Sequence, residues 1–140
     1  MQAPMRSFLF VLAAVLPTNV LAETCDDRSQ DFEARIALCD QAFEAADTPE
    51  AAAQALSLKG EAQRMLGQLD EAAATLQQAL GFNAESAWVW VELGNVRYDQ
   101  GDTAGALPES QRSKTLYEGL AARPGAPLDD RLEAAVGAVK

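Results

Sequence analysis

Residues 53–86 read AQALSLKGEAQRMLGQLDEAAATLQQALGFNAES, and residues 87–120 read AWVWVELGNVRYDQGDTAGALPESQRSKTLYEGL. A shift of 34 residues lays Ala53 on Ala87, Gly60 on Gly94, Gly67 on Gly101, Ala72 on Ala106 and Gln77 on Gln111. Apolar character repeats where identity does not: Leu56 falls on Trp90, Ala62 on Val96 and Phe82 on Leu116. Self-similarity at a fixed period of 20–50 residues marks a stacked array of one supersecondary unit. Gly67 and Gly101 each follow an apolar-periodic stretch, where a helix C-cap glycine belongs, so each unit reads as two helices joined by a tight turn.

The second unit opens on Trp90-Val-Glu-Leu93-Gly94, and the first closes on Ala72-x-x-x-Leu76. These residues resemble the tetratricopeptide repeat (TPR) over about half the chain. The resemblance implies an all-α array of helical hairpins. It makes Gly60 with Ala72, and Gly94 with Ala106, the small pairs that let two helix axes approach to ~8–10 Å. It also has Trp90, Leu93 and Leu76 filling the space between helices. In the family the first helices line a concave groove. The matching positions here are Gln54, Ser57, Leu58, Glu61, Arg64 and Met65, then Trp88, Val91, Glu92, Asn95, Tyr98 and Asp99. The residues expected to meet a partner are Trp88, Val91, Glu92, Asn95, Tyr98, Asp99, Arg64 and Glu61. Trp88 points either to the groove or under the N-terminal half-repeat. Met65 and Asp99 stand where a clamp for a terminal carboxylate would need bases, so an apolar or basic segment is the expected occupant.

Residues 1–22 have the form of a secretory signal peptide. Arg6 supplies the positive start, Phe8 to Leu16 is an apolar run, and Val20-Leu21-Ala22 places small residues for cleavage after Ala22. Nine apolar residues fall short of the ~20 that span a bilayer. Cleavage would take away Arg6 and no acid, leaving 10 basic against 21 acidic residues and a net charge of −11 in place of −10. Such a balance disfavours nucleic acid or an anionic membrane as partner. Cys25 and Cys39, an even pair in an exported chain, read as a structural disulfide. Their spacing is not the C-x-x-C of a redox pair. A cysteine near the mature N-terminus joined to one in a repeat helix also resembles exported bacterial repeat proteins.

The remaining chain follows in order. Residues 23–30 are polar and expected to be extended. A helix from Asp31 would bury Phe32, Ile36, Cys39, Ala42 (or Phe43) and Ala46, and Thr48-Pro49 ends one helix and starts the next. The segment 23–49 is thus a disulfide-pinned half-repeat. In the second unit Pro108 falls inside a helical stretch, so that helix should start near Leu107-Pro108 or kink there. Residues 127–139 carry Leu128, Leu132, Ala135, Val136 and Val139 on one stripe and are expected to form a terminal capping helix.

The chain has no histidine, no glycine-rich phosphate loop and no metal-ligand spacing. The expected protein is therefore not an enzyme and takes no cofactor or metal. It is a periplasmic interaction module for another exported or envelope protein, without a membrane span once its leader is removed. Nothing in the sequence fixes an oligomeric state. A small structural subunit of an envelope enzyme complex is the second reading.

Overall fold

The computed structural model describes residues 25–123, which form five helices and no strand: α1 (Phe32–Glu44), α2 (Pro49–Met65), α3 (Leu69–Phe82), α4 (Ala87–Asp99) and α5 (Thr103–Ala121). The expected signal peptide and the expected helix at 127–139 lie outside the described residues. Neighbours in sequence are neighbours in space. α1 packs on α2, α2 on α3, α3 on α4 and α4 on α5, while α2 also touches α4. The fold is an all-α helical-hairpin repeat array.

Local chemistry sets the helix ends. Asp31 accepts from the Ala34 N–H at 2.7 Å, Thr48 from Ala51 at 3.1 Å, and Asp102 from Gly105 at 2.8 Å, so three helices open on a side-chain cap. Gly67 and Gly101 have φ of 77° and 81°. Around them, Gln68 N–H reaches Gln63 O and Gly67 N–H reaches Arg64 O; Asp102 N–H reaches Arg97 O and Gly101 N–H reaches Tyr98 O, all at 2.9 Å. That paired pattern closes a helix through one left-handed residue, a conformation glycine adopts without steric cost.

The main core joins Leu56, Ala72, Leu76, Ala79, Val89, Leu93 and Val96. A Cβ on Gly60 would stand 2.7 Å from Leu76 Cγ, and one on Gly94 would stand 3.3 Å from Ser110 Oγ and 3.6 Å from Ala106 O. Both glycines thus sit where the helices of a hairpin meet. A second cluster, Cys25, Cys39, Ala42, Ala55 and Leu58, is closed by the Cys25–Cys39 disulfide. Phe43 touches both clusters and meets the Phe82 ring edge-on at 5.6 Å. Ala87 and Tyr117 make a third cluster at the far end, with Val91, Leu116 and Leu120 only partly covered.

The structure corrects four expectations. Residues 27–30 form a turn closed by Gln30 N–H on Asp27 O, where an extended segment was expected; the Asp27 carboxylate accepts from the Ser29 N–H and so favours the bend. The buried stripe of α1 runs through Arg35, Cys39 and Ala42, with Arg35 in place of the expected Phe32 and Ile36. Val89 occupies the enclosed position in α4, and Trp90 lies at the core margin. An indole N–H needs an acceptor, and Trp90 finds the Ala84 carbonyl at 2.9 Å, pinning the α3–α4 turn. Finally, α5 starts at Thr103 and runs through Pro108. Pro108 and Ala104 are both exposed, so water can take the place of the missing donor to the Ala104 carbonyl.

Candidate functional site

The face made by α2 beside α4 carries the residues that the repeat pattern assigns to binding. Starting from its charges, Glu61 on α2 is buried and faces two arginines: Arg35 Nη2 at 3.3 Å and Arg28 Nη2 at 3.4 Å. Arg35 is only 2% exposed; its Nε donates to the Cys25 carbonyl, and its guanidinium lies 5.8 Å from the Phe32 ring centre. On the other side Arg64 bridges the two first helices, with Nε 3.3 Å from Glu92 and Nη1 2.9 Å from Asp99. These make a ladder of two ion-paired triads, Arg35–Glu61–Arg28 and Glu92–Arg64–Asp99, in which Glu61 and Glu92 are near enough to repel one another.

Burial sets the electrostatics of this ladder. Desolvation pushes the Glu92 carboxyl above its ordinary value, more than Arg64 and the Asn95 hydrogen bond pull it down, and the nearby Glu61 charge adds to the rise. Arg64 loses some basicity to desolvation, but its pairs with Asp99 and Glu92 together outweigh that and hold it above its ordinary value. Because the folded-state value of Glu92 is raised, its contribution to stability is fully present below the unfolded carboxyl value. It is lost as pH rises through the folded one. Glu92→Gln is therefore expected to stabilise the protein at neutral pH by about 1 kcal/mol, because Arg64 keeps Asp99 and the substitution leaves no buried charge without a partner. Urea midpoints at pH 7 and at about pH 4 check this, and the gain should shrink towards the acid end.

What remains open to a ligand is uncharged for the most part. Trp88 is half-buried and lines a trench of about 210 Å³ with Ala53, Gln54, Ser57, Leu58 and Asn83, bordered by Glu50 and Ser86. Its ring thus stands against α2, the neighbouring first helix. Along α4, Val91 and Asn95 are half-buried and Tyr98 is 66% exposed; Met65 at the end of α2 is 52% exposed. Of the eight residues expected to meet a partner, Trp88, Val91, Asn95 and Tyr98 reach the surface free of ion pairs. Arg64 and Asp99 reach it already paired, and Glu61 and Glu92 are enclosed among internal charges. The sequence reading missed Arg35. A single cation in a polar-looking helix carries no periodic signal, and its position one turn before Cys39 is the only hint.

Residues 60–101 match the family model of the TPR repeat. The match runs from Gly60 in α2 through α3 and α4 to Gly101, under a third of the chain. No curated protein matches. A TPR repeat supports a protein–protein interaction module, and such modules usually serve as scaffolds, without chemistry of their own. No helix among the described residues is long and apolar enough to cross a membrane.

Proposed function

We propose that this protein is an exported adaptor that holds a segment of another envelope protein against the α2–α4 face. The observation that carries the reading is the division of labour on that face. Glu61, Arg64, Glu92 and Asp99 are spent on internal ion pairs, while Trp88, Gln54, Ser57 and Asn83 line an open trench with the carboxylate of Glu50 at its border. Such a lining suits an extended neutral segment, with backbone amides meeting Gln54 and Asn83 and an apolar side chain against the indole. Tyr98 and Met65 extend the apolar contact along the same two helices.

A buried aromatic anchor typically accounts for ~2 kcal/mol or more of binding. The Trp88→Ala, Tyr98→Ala double variant should therefore lose at least about thirtyfold in affinity for the partner captured by the wild type. Its urea midpoint should stay close to wild type, since neither side chain belongs to the buried core. Capture of the same partner in the same yield by both proteins would remove this face from consideration. Export is read separately. The protein released from the periplasm should begin at Glu23, as the mass of the intact chain will show.

A further inference from the structure

The trench at Trp88 does not stop at Asn83. Next to it a second cleft, of about 410 Å³, opens between the start of α2, the α3–α4 turn and the last turns of α5. Glu50 and Asn83 belong to the walls of both, so the two adjoin. One wall of the cleft is apolar: Leu116 and Leu120 join the cluster of Ala87 and Tyr117 and are only partly covered. The opposite wall is acidic. Glu50 and Glu85 are exposed, and neither is in an ion pair among the described residues. Against these two carboxylates the lining carries one cation, Arg123, which leaves the cleft net negative.

Resting on the binding face proposed above, we infer that the partner's segment leaves the trench through this cleft and carries a lysine or arginine there. In order along the segment, an apolar side chain meets the Trp88 indole, a cation meets Glu50 and Glu85, and a second apolar side chain covers Leu116 and Leu120. The occupant is thus an apolar–basic–apolar segment of another protein.

Desolvation decides the sign of the middle residue. Whatever covers Leu116 and Leu120 also takes water from Glu50 and Glu85, which line the same cleft. A neutral or acidic side chain gives those carboxylates nothing in return, and a carboxylate that loses water without gaining a partner is costly. A lysine or arginine replaces the lost water and adds attraction. The same contrast rejects acidic segments, so it supplies specificity as much as affinity. Deeper in the groove the carboxylates are already answered, Glu61 by Arg35, and Glu92 and Asp99 by Arg64. Glu50 and Glu85 are left to a ligand's cation. The rest of the molecule acts in the same direction, because a chain of net charge −10 draws a basic segment in. A second copy of this chain would bring the same negative charge and is disfavoured on that ground.

Selection of short capped random peptides on the full chain tests it. Peptides held by the wild type should be enriched in lysine or arginine flanked by apolar residues. On the Glu50→Lys, Glu85→Lys variant the enrichment should turn to aspartate or glutamate with the apolar preference kept; both positions are exposed, so the fold does not depend on them. The tightest wild-type peptide should lose about tenfold in affinity in Glu50→Gln, Glu85→Gln at low salt, and rising salt should erase most of that difference. Its binding should slow hydrogen exchange of the amides at residues 115–121 at least about threefold. Selected peptides that lack a basic residue yet lose their binding in Trp88→Ala would overturn the cation while leaving the trench as the binding face. Absence of any enriched peptide, or peptides indifferent to Trp88→Ala, would overturn the face itself and the cation with it. Exchange at 115–121 that is already slow and unmoved by the peptide would mean a cleft filled by the chain itself or, where dilution releases it, by a second copy, and overturns the proposal as well.

Discussion

Arg35→Ala is expected to destabilise the fold by about 3 kcal/mol, the lower end of what breaking one side of a buried ion pair costs. The guanidinium is 2% exposed, and its loss leaves two groups short of a partner: the Glu61 carboxylate, enclosed on α2, and the Cys25 carbonyl beside the disulfide. Arg28 moderates the loss, since it reaches Glu61 from the solvent side at 3.4 Å. An unpaired buried carboxylate is the costly product, so removing it as well should repair most of the damage. Arg35→Met with Glu61→Leu should come back to within about 1 kcal/mol of wild type, as apolar replacements of whole buried pairs commonly do. Urea unfolding of the single and double variants measures both values. A loss below about 0.5 kcal/mol in Arg35→Ala would mean that the Glu61 carboxylate is hydrated in solution. High salt should change the result little, because screening acts weakly on enclosed pairs.

That pair also marks the limit of what the sequence could say. Repeats announce themselves through what recurs, and the hairpins were legible because Gly60, Gly67, Ala72 and their partners at a 34-residue shift have one packing or turn requirement each. The disulfide was legible from an even cysteine count. Arg35, Glu61 and Glu92 recur nowhere: the positions 34 residues from Glu61 and Glu92 hold Asn95 and Leu58. Their pairing depends on which turn of α1 faces α2, and a period of apolar residues misplaced that face by one position. Trp90 was misread in part. The repeat resemblance put its ring between the helices, and the ring does pack against the main core, but from its margin: the indole N–H reaches the Ala84 carbonyl and the enclosed position belongs to Val89. Pro108 was read by its cost in an enclosed helix, whereas on the exposed side of α5 solvent offsets that cost.

Leu76→Ala should cost about 2–5 kcal/mol, since the side chain is fully enclosed at the centre of the main cluster and its loss leaves a cavity against α2. The more telling result is its effect on the opposite position. In the wild type Gly60→Ala should destabilise: the new Cβ would stand 2.7 and 2.8 Å from Leu76 Cγ and Cδ2, and Cγ is a branch point held on all sides. Overpacking of that kind costs about 1–3 kcal/mol, offset in part by the ~1 kcal/mol that alanine gains over glycine inside a helix. With Leu76 already truncated, the clash is gone and the helix gain remains. Gly60→Ala should then stabilise by up to about 1 kcal/mol. The second hairpin contains the same comparison in its own sequence. Ser110 stands where the first has Leu76, and a Cβ on Gly94 would have Ser110 Oγ as its nearest neighbour, at 3.3 Å, with Ala106 O and Glu109 Cβ at an ordinary 3.6 Å, so Gly94→Ala should be close to neutral. Contact across the hairpin, and not glycine's conformational freedom, would then explain Gly60, and the coupling between positions 60 and 76 should reach about 2 kcal/mol in a double-mutant cycle. An equal cost for Gly60→Ala in both backgrounds would place the origin of the effect within α2 itself, because only a partner on α3 can make the sign of one substitution depend on the other.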